Sequence, residues 1–272
     1  MRLLTGSARL AGVIGWPVAH SRSPRLHGAW LARHGIDGAY LPLAVRPEDF
    51  CAVVPALARA GFAGANVTIP HKEAAFALCD RVEDSARRAG AVNTLVFGEG
   101  ITGSNTDGAG FVANLRAHGV DPAGPALILG AGGAARAIGA ALQDAGAAVT
   151  FCNRSPERAA ALAAALPPAA ILPWADRMAA LPDFALLVNS TSLGMAGQPA
   201  LEFVLDSAAP DLAVADIVYA PLETPLLAAA RARGLRAVEG LGMLLHQAVP
   251  GFAAWFGVTP VVDEELYRIV SE

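Results

Sequence analysis

The sequence predicts an α/β protein of two domains, each built on a mostly parallel sheet. Short apolar runs of strand length alternate with helix-length segments along the chain. A glycine-rich turn, Gly130-Ala131-Gly132-Gly133, stands between one such strand and one such helix. The length of 272 residues suits one large or two modest domains, with ample chain to bury a core, and two is the preferred reading.

In chain order, a strand at residues 10–15 leads to a helix at 24–34, with Ser23 as N-cap, Pro24 in its first turn and Gly35 at its end. Strands at 39–43, 63–68 and 91–97 alternate with helices at 47–60, 71–79 and 82–89. The segment Gly103-Ser104-Asn105-Thr106-Asp107-Gly108 interrupts the pattern. A helix from about 107 to 118 then leads to a new strand, so the first domain is expected over 1–107 and the second over 108–240. Strands at 126–129, 148–152, 186–189, 213–218 and 236–239 form the second sheet. Its helices are expected at 134–145, at 156–166 with Ser155 as cap, and at 225–233 with Thr224 as cap and Gly234 as stop. From residue 241 the chain reads as helical, with a turn at 257–260.

Composition narrows the function. A net charge of -4, with no basic run longer than Arg87-Arg88, argues against a nucleic-acid partner. The apolar stretch 126–149 carries Arg136, Gln143 and Asp144, and the stretch 159–175 is broken by Pro167-Pro168, so no membrane span is expected. The first residues are too polar for a secretory signal, which points to the cytoplasm. Cys51, Cys79 and Cys152 are odd in number and far apart, and read as reduced core thiols. His20, His27 and His34 recur every seven residues without a carboxylate pattern, and no metal site is expected.

Lys72 is the single lysine, set against 19 arginines. A guanidinium stays protonated at any workable pH, whereas an amine can give and take a proton. Lys72 follows the strand 63–68 and Pro70, at a strand's C-terminal edge, where α/β proteins bind ligands. A solvated surface cation is the plainer account of the same residue. Asp107 is the natural partner for Lys72, although a carboxylate at a helix start is also a routine N-terminal device. Asn93-Thr94 and Asn105-Thr106 bring amides and hydroxyls to the same edge, groups that recognise a polyhydroxylated ligand. Ser21 and Ser23 can hydrogen-bond a carboxylate, and Ser23 is equally explained as a cap.

Gly130 to Ala135 match G-x-G-x-x-A after a strand and before a helix, the arrangement that receives a pyrophosphate on free N–H groups. An alanine-rich tight turn has the same composition. At the end of the following strand an NAD site would carry an acidic residue for the ribose hydroxyls. Here the chain reads Asn153-Arg154-Ser155-Pro156-Glu157-Arg158, and two arginines with a hydroxyl favour the 2′-phosphate of NADP.

The motifs together resemble the shikimate dehydrogenase family over nearly the whole chain. They are H-S-x-S-P at 20–24, N-V-T-x-P-x-K at 66–72, G-A-V-N-T at 90–94, N-T-D-G at 105–108, G-A-G-G-A-A-R-A at 130–137, N-R-S at 153–155, N-S-T-S-L-G-M at 189–195 and D-I-V-Y-x-P at 216–221, closed by the run 240–247. The resemblance implies a substrate domain followed by a Rossmann-type NADP-binding domain, with C-terminal helices at 241–272 returning to the first. It implies reversible NADPH-dependent reduction of 3-dehydroshikimate to shikimate, on the route to aromatic amino acids, with Lys72 and Asp107 as the catalytic pair. Ser21, Ser23, Thr68, Asn93, Tyr219 and Gln247 match substrate positions. Gly130, Ala131, Gly132, Gly133, Ala134, Asn153, Arg154, Ser155, Arg158, Thr191, Ile217 and Gly240 match cofactor positions. Gly28 after His27 and Trp16 in a variable slot are small departures. A quinate or dual-specificity dehydrogenase using NAD or both cofactors, and a dinucleotide-binding regulator without turnover, are the rival readings. A monomer or a homodimer is expected.

Overall fold

The computed structural model describes residues 3–272. Two compact units divide the chain: one runs to Thr106 and resumes at Gln247–Glu272, the other is Asp107–His246.

In the first unit, β1 (Arg9–Gly15) is buried over its last five residues, as a strand covered on both faces should be. It lies parallel to β2 (Gly38–Ala44) on one side and β3 (Phe62–Val67) on the other. The helices α1 (Ser23–Arg33) and α2 (Phe50–Arg59) make the crossovers. Beyond β3 come α3 (Lys72–Leu78), the two-residue β4 (Arg81–Val82) and α4 (Asp84–Ala89), then β5 (Thr94–Phe97) and β6 (Ile101–Ser104). The spatial order is β2-β1-β3-β5-β6-β4.

This sheet is parallel through β2, β1 and β3, whereas β5 runs antiparallel to both β3 and β6. The strand expected at 91–97 begins only at Thr94, because the N–H groups of Ala91 and Val92 bond the helical carbonyls of Ala86 and Lys72. Gly98-Glu99-Gly100 then turns the chain back into β6, a strand the sequence pattern had not separated from its neighbour. Ser23 is also not the cap of α1. Arg22 holds that position, and the Ser23 N–H donates to Ser21 Oγ at 3.3 Å, a local turn that places the helper hydroxyl two residues earlier.

The second unit holds α5 (Asp107–Ala117), β7 (Ala126–Leu129), α6 (Gly133–Asp144), β8 (Val149–Cys152), α7 (Pro156–Ala165), β9 (Ala170–Leu172), β10 (Leu186–Asn189), β11 (Ala213–Asp216), α8 (Pro225–Ala232) and β12 (Arg236–Val238). The sheet order is β12-β11-β10-β7-β8-β9, and every pairing is parallel. Strand order reverses between β7 and β10, the topology of doubly wound dinucleotide-binding sheets. Successive residues of β7 feed opposite cores: Ala126 and Ile128 pack with Phe151 and Val188, while Leu127 and Leu129 pack with Leu187 and Val214. The short edge strand β9 was not expected from the sequence. The caps were: Ser155 Oγ accepts from Arg158 N at 3.3 Å and Thr224 Oγ1 from Leu227 N at 3.4 Å.

The long helix α9 (Gly240–Phe256) starts in the second unit and ends in the first, where α10 (Glu264–Ser271) also lies. Trp255 Nε1 donates to the carbonyl of Leu95 at 2.9 Å, Trp30 Nε1 to that of Val261 at 3.1 Å, and Arg33 pairs with Asp263 at 2.8 Å. Among the described residues no helix is long and apolar enough to cross a membrane.

One ion pair in the second unit gives a pH dependence. His118 Nε2 lies 3.5 Å from Glu239 Oε1, its Nδ1 contacts the Asn114 carbonyl at 2.9 Å, and the Glu239 carboxylate raises the imidazole pKa. A raised native pKa means that the stabilisation is fully present below the unfolded value of about 6.5 and is lost as pH climbs through the native value. His118→Gln should therefore lower Tm at pH 6 and change it far less at pH 9. Calorimetry at both pH values checks this, and an equal loss at the two would exclude the ion pair as its source.

Candidate active site

In the first sheet the chain leaves β1 for β2 on one side and later places β3 on the other, so the C-terminal ends of β1 and β3 flank a switch point. Ser21 and Ser23 follow β1, while Thr68 and Lys72 follow β3. Because β5 is antiparallel, its first residue pairs with Asn66 at the end of β3 and with Ser104 at the end of β6. That register brings Asn93, Asn105 and Thr106 to the same edge.

Buried amides hold this edge together. The carbonyl of Asn93 accepts from Val67 N at 2.8 Å, and its N–H donates to the Ser104 carbonyl at 3.0 Å. Asn93 Oδ1 accepts from Thr106 N at 2.9 Å and from Thr94 Oγ1 at 2.9 Å, and Asn93 Nδ2 donates to Thr106 Oγ1 at 3.0 Å. Gln247, on α9, joins them: its Oε1 accepts from Asn93 Nδ2 at 3.5 Å and from Thr106 Oγ1 at 3.4 Å. Asn105 Nδ2 donates to the Ala91 carbonyl at 3.0 Å. A buried polar group without a partner is costly, so a linked set of this kind fixes its own rotamers.

Lys72 is half-buried and begins α3. Its carbonyl accepts from Val92 N at 3.0 Å, which ties the start of the helix to the residue before Asn93. His71, just before it, is buried, stacks on Phe50 at 4.7 Å, and holds the Val45 carbonyl through Nε2 at 2.8 Å. Asp107 is buried and opens α5, directly after Thr106.

The second unit builds its site at the reversal between β7 and β10. Gly130 directly follows β7 with φ +116°, a backbone conformation that L side chains rarely adopt, and a Cβ there would stand 2.6 Å from Ser190 Oγ. Gly132 and Gly133 differ: both are exposed, and a Cβ on either meets nothing within 4 Å. Protein packing therefore does not require those two glycines. They keep side chains away from the start of α6, whose N-cap, Gly132, offers no side chain to the first N–H groups. Ala131 and Ala134 are half-buried in the same turn.

After β8, Asn153 Nδ2 donates to the Ser155 carbonyl at 3.0 Å, and Arg158 Nη2 reaches the Ala131 carbonyl at 3.4 Å. The Ser155 hydroxyl already serves as the α7 cap and donates to Glu157 at 2.8 Å, whereas Arg154 is exposed and forms no ion pair among the described residues. Thr191 follows β10 and donates through Oγ1 to Asn189 Oδ1 at 2.7 Å. Asn189 Nδ2 in turn donates to Asp216 Oδ1 at 3.0 Å. Burial pushes the Asp216 carboxyl above its usual range, while Val218 N at 3.0 Å, Thr224 Oγ1 at 2.8 Å and Asn189 oppose that rise. Asp216 thereby anchors the loop that carries Ile217 and Tyr219. Gly240 sits against that loop, since a Cβ on it would come 2.4 Å from the Ile217 carbonyl.

Residues 13–95 match the model of the shikimate dehydrogenase substrate binding domain. The NADP(+)-dependent shikimate dehydrogenase of Acidiphilium cryptum is 78% identical over 271 residues, covering 99% of this chain and 98% of that protein. The chain belongs to the shikimate dehydrogenase family. Shikimate 5-dehydrogenase from Thermus thermophilus, solved with NADP(H) and shikimate, superposes with a TM-score of 0.88 at 38% identity, over 97% of this chain and 98% of that one. Quinate dehydrogenase from Corynebacterium glutamicum, solved with NAD, has the same TM-score of 0.88 at 30% identity, with 97% of each chain covered.

Sequence reasoning assigned no role to Asn66, Asn189 or Asp216. Their signal was present: each is a polar residue at or near the end of an otherwise apolar, buried strand. Asn189 and Asp216 bond the loops that follow their strands, and Asn66 bonds the start of the neighbouring strand.

The two kinds of glycine predict two outcomes. Gly130→Ala forces φ +116° on a side chain and a contact of 2.6 Å, and should destabilise the protein by ~1–3 kcal/mol. Gly132→Ala should leave Tm within a degree or so. Thermal melts of the two variants decide the matter, and equal losses would contradict the distinction.

Proposed function

We propose that the chain catalyses the reversible NADPH-dependent reduction of 3-dehydroshikimate to shikimate, with Lys72 and Asp107 as the proton-transfer pair. The observation that carries this reading is the edge at the switch point of the first sheet. Ser21 and Ser23 follow β1 there, Thr68 and the single lysine follow β3, and Asn93 bonds Gln247, a set of hydroxyls and amides suited to a small ring bearing hydroxyls and a carboxylate. The match to a substrate binding domain and the 78% identity of an NADP(+)-dependent relative support it.

The dinucleotide fits the second unit. The uncapped start of α6, with no Cβ at Gly132 and Gly133, suits a pyrophosphate. Recognition of a 2′-phosphate falls to Arg154 and Arg158 with the Ser155 hydroxyl between them, and the residue that follows that strand is Asn153 in place of an acidic one. Thr191, Ile217 and Gly240 line the loops after β10, after β11 and at the start of α9. Tyr219 lies on the same loop as Ile217 and completes the proposed substrate set.

Hydride is what NADPH supplies when bound. The protein must hold the carbonyl for it and manage the charge that grows on oxygen. A protonated Lys72 opposes that charge and delivers the proton, and in the reverse direction the neutral amine accepts it. Asp107 orients the amine and a ring hydroxyl. Ser21 and Ser23 hold the carboxylate, while Asn93 and Gln247, locked through Thr106, hold the ring hydroxyls with little reorganisation. The cytoplasm suits such an enzyme; of the three free thiols expected in the core, only Cys152 is buried, while Cys79 is half-buried and Cys51 is exposed.

Lys72→Ala should lower kcat by roughly 10²–10⁴ while shikimate affinity changes far less, because the amine acts mainly in the transition state. Steady-state kinetics with a separate binding titration measures both, and turnover close to that of the unmodified enzyme would remove Lys72 from the mechanism.

Arg154→Ala should weaken NADP by about 10- to 150-fold, the equivalent of a charge-assisted contact of ~1.5–3 kcal/mol, and leave NAD nearly unaffected. Ratios of kcat/KM for the two cofactors test this. Equal use of both by the unmodified enzyme, or faster oxidation of quinate than of shikimate, would favour the quinate-type reading.

A further inference from the structure

The reading above leaves one buried cluster without a task. His27 on α1 and Tyr40 on β2 stack almost parallel, with ring centroids 3.9 Å apart and planes 6° from each other. Trp30, Phe252 and Trp255 surround the imidazole at 5.7, 5.8 and 5.7 Å. His27 is fully buried, and among the described residues neither ring nitrogen has a hydrogen-bond partner. Burial lowers its pKa to about 3, so the ring is neutral at any working pH, with the nearby Asn66 amide offsetting only part of that fall. It serves as an aromatic plate.

Tyr40 differs from its neighbours in carrying a hydroxyl that points out of the cluster, at the end of β3. That hydroxyl donates to Asn66 Oδ1 at 2.6 Å. The direction of the amide follows from its other bonds. Asn66 Nδ2 lies 3.2 Å from the carbonyl of Asn93, which can only accept, so the nitrogen must face Asn93 and the oxygen must face Tyr40. The same Nδ2 reaches Thr94 Oγ1 at 3.2 Å, and that hydroxyl donates to Asn93 Oδ1 at 2.9 Å. The phenolic proton therefore supplies the donor to the Asn66 oxygen while the amide nitrogen holds the Asn93 carbonyl, and Asn66 contacts both the backbone of Asn93 and, through Thr94, its side chain. Burial raises the Tyr40 pKa well above its usual value, with the neighbouring Ser23 hydroxyl in partial opposition, so the phenol keeps its proton and remains a donor.

We propose that Tyr40, held flat against His27, is a positioning residue for the substrate site, acting through Asn66 on Asn93 without touching the ligand. This deepens the functional reading above and rests on it. Phenylalanine would fill the same space and keep the stack, so the hydroxyl is the part assigned to function.

The test is Tyr40→Phe in the full chain, with steady-state kinetics in shikimate and in NADP and a thermal melt. Loss of the hydroxyl leaves Asn66 Oδ1 buried without its donor. The expected result is a KM for shikimate raised about 5- to 30-fold, a KM for NADP within twofold, and Tm within a few degrees. The rise should be the same at pH 6 and pH 9, because neither ring titrates in that range. In an N66L background, where no amide remains to be set, Tyr40→Phe should add less than twofold. An unchanged shikimate KM in the single variant overturns the proposal. So does a joint rise of both KM values with a falling Tm, the mark of a merely structural residue. Should Y40F fail to fold, the comparison of N66L with Y40F/N66L decides, since apolar then faces apolar, and a further rise in shikimate KM in the double variant overturns it. Failure of the unmodified chain to oxidise shikimate with NADP would sink the functional reading and this one with it, and is seen before any variant is made.

Discussion

The link between α9 and the candidate ligand edge of the first unit depends on an indole fitting where a side chain is missing. A Cβ at Gly64 would stand 2.1 Å from Trp255 Nε1 and 2.1 Å from the Leu95 carbonyl. With glycine there, Trp255 lies against β3 and donates to Leu95 across the gap. That bond seats the last turn of α9 on the sheet. The seat fixes the register of α9, and the register carries Gln247, two turns and more toward its start, to Asn93 and Thr106. Removing the space at Gly64 would move a hydrogen-bonding group far from it.

The two units solve the same problem in the same way. At each switch point, loops that follow buried strands must hold one shape without much apolar packing of their own. Asn66 and Asn93 do this in the first unit, and Asn189 with Asp216 does it in the second, each making several hydrogen bonds of which at least one is to backbone. A carboxyl kept at 2% exposure, as Asp216 is, offsets its desolvation only because three donors converge on it. Rigid loops on rigid sheets leave the candidate ligand groups little freedom to lose on binding.

Much of this was legible in the sequence, and the parts that were not share a cause. The caps Ser155 and Thr224, the glycine turn and the parallel second sheet rest on local rules that span a few residues, and they appear as expected. The antiparallel β5 and β6 were hidden because strand direction depends on partners distant in sequence, and a short apolar run carries no sign of it. Ser23 was misread as a cap because Ser21, two residues away, supplies the hydroxyl instead. Lys72, Asn93 and Gln247 were visible as unusual polar residues in motifs, whereas Tyr40 was not, since a tyrosine in a strand looks like any core aromatic until its hydroxyl is seen to point at Asn66.

The aromatic floor of the first unit draws Trp30 and Tyr40 from near the start of the chain and Phe252 and Trp255 from near its end. During vectorial synthesis, at a few to about twenty residues per second, the later pair leaves the ribosome roughly ten seconds or more after the earlier one. Until then His27 and Tyr40 have no lid, and the six-stranded sheet beside them has an uncovered apolar face. The second unit is continuous in sequence and needs nothing from the last helix turns to close its core. The domain whose strands are made first is thus the last able to finish, so a nascent chain passes through a stage with one half completed and the other waiting, which is when chaperones would have most to hold.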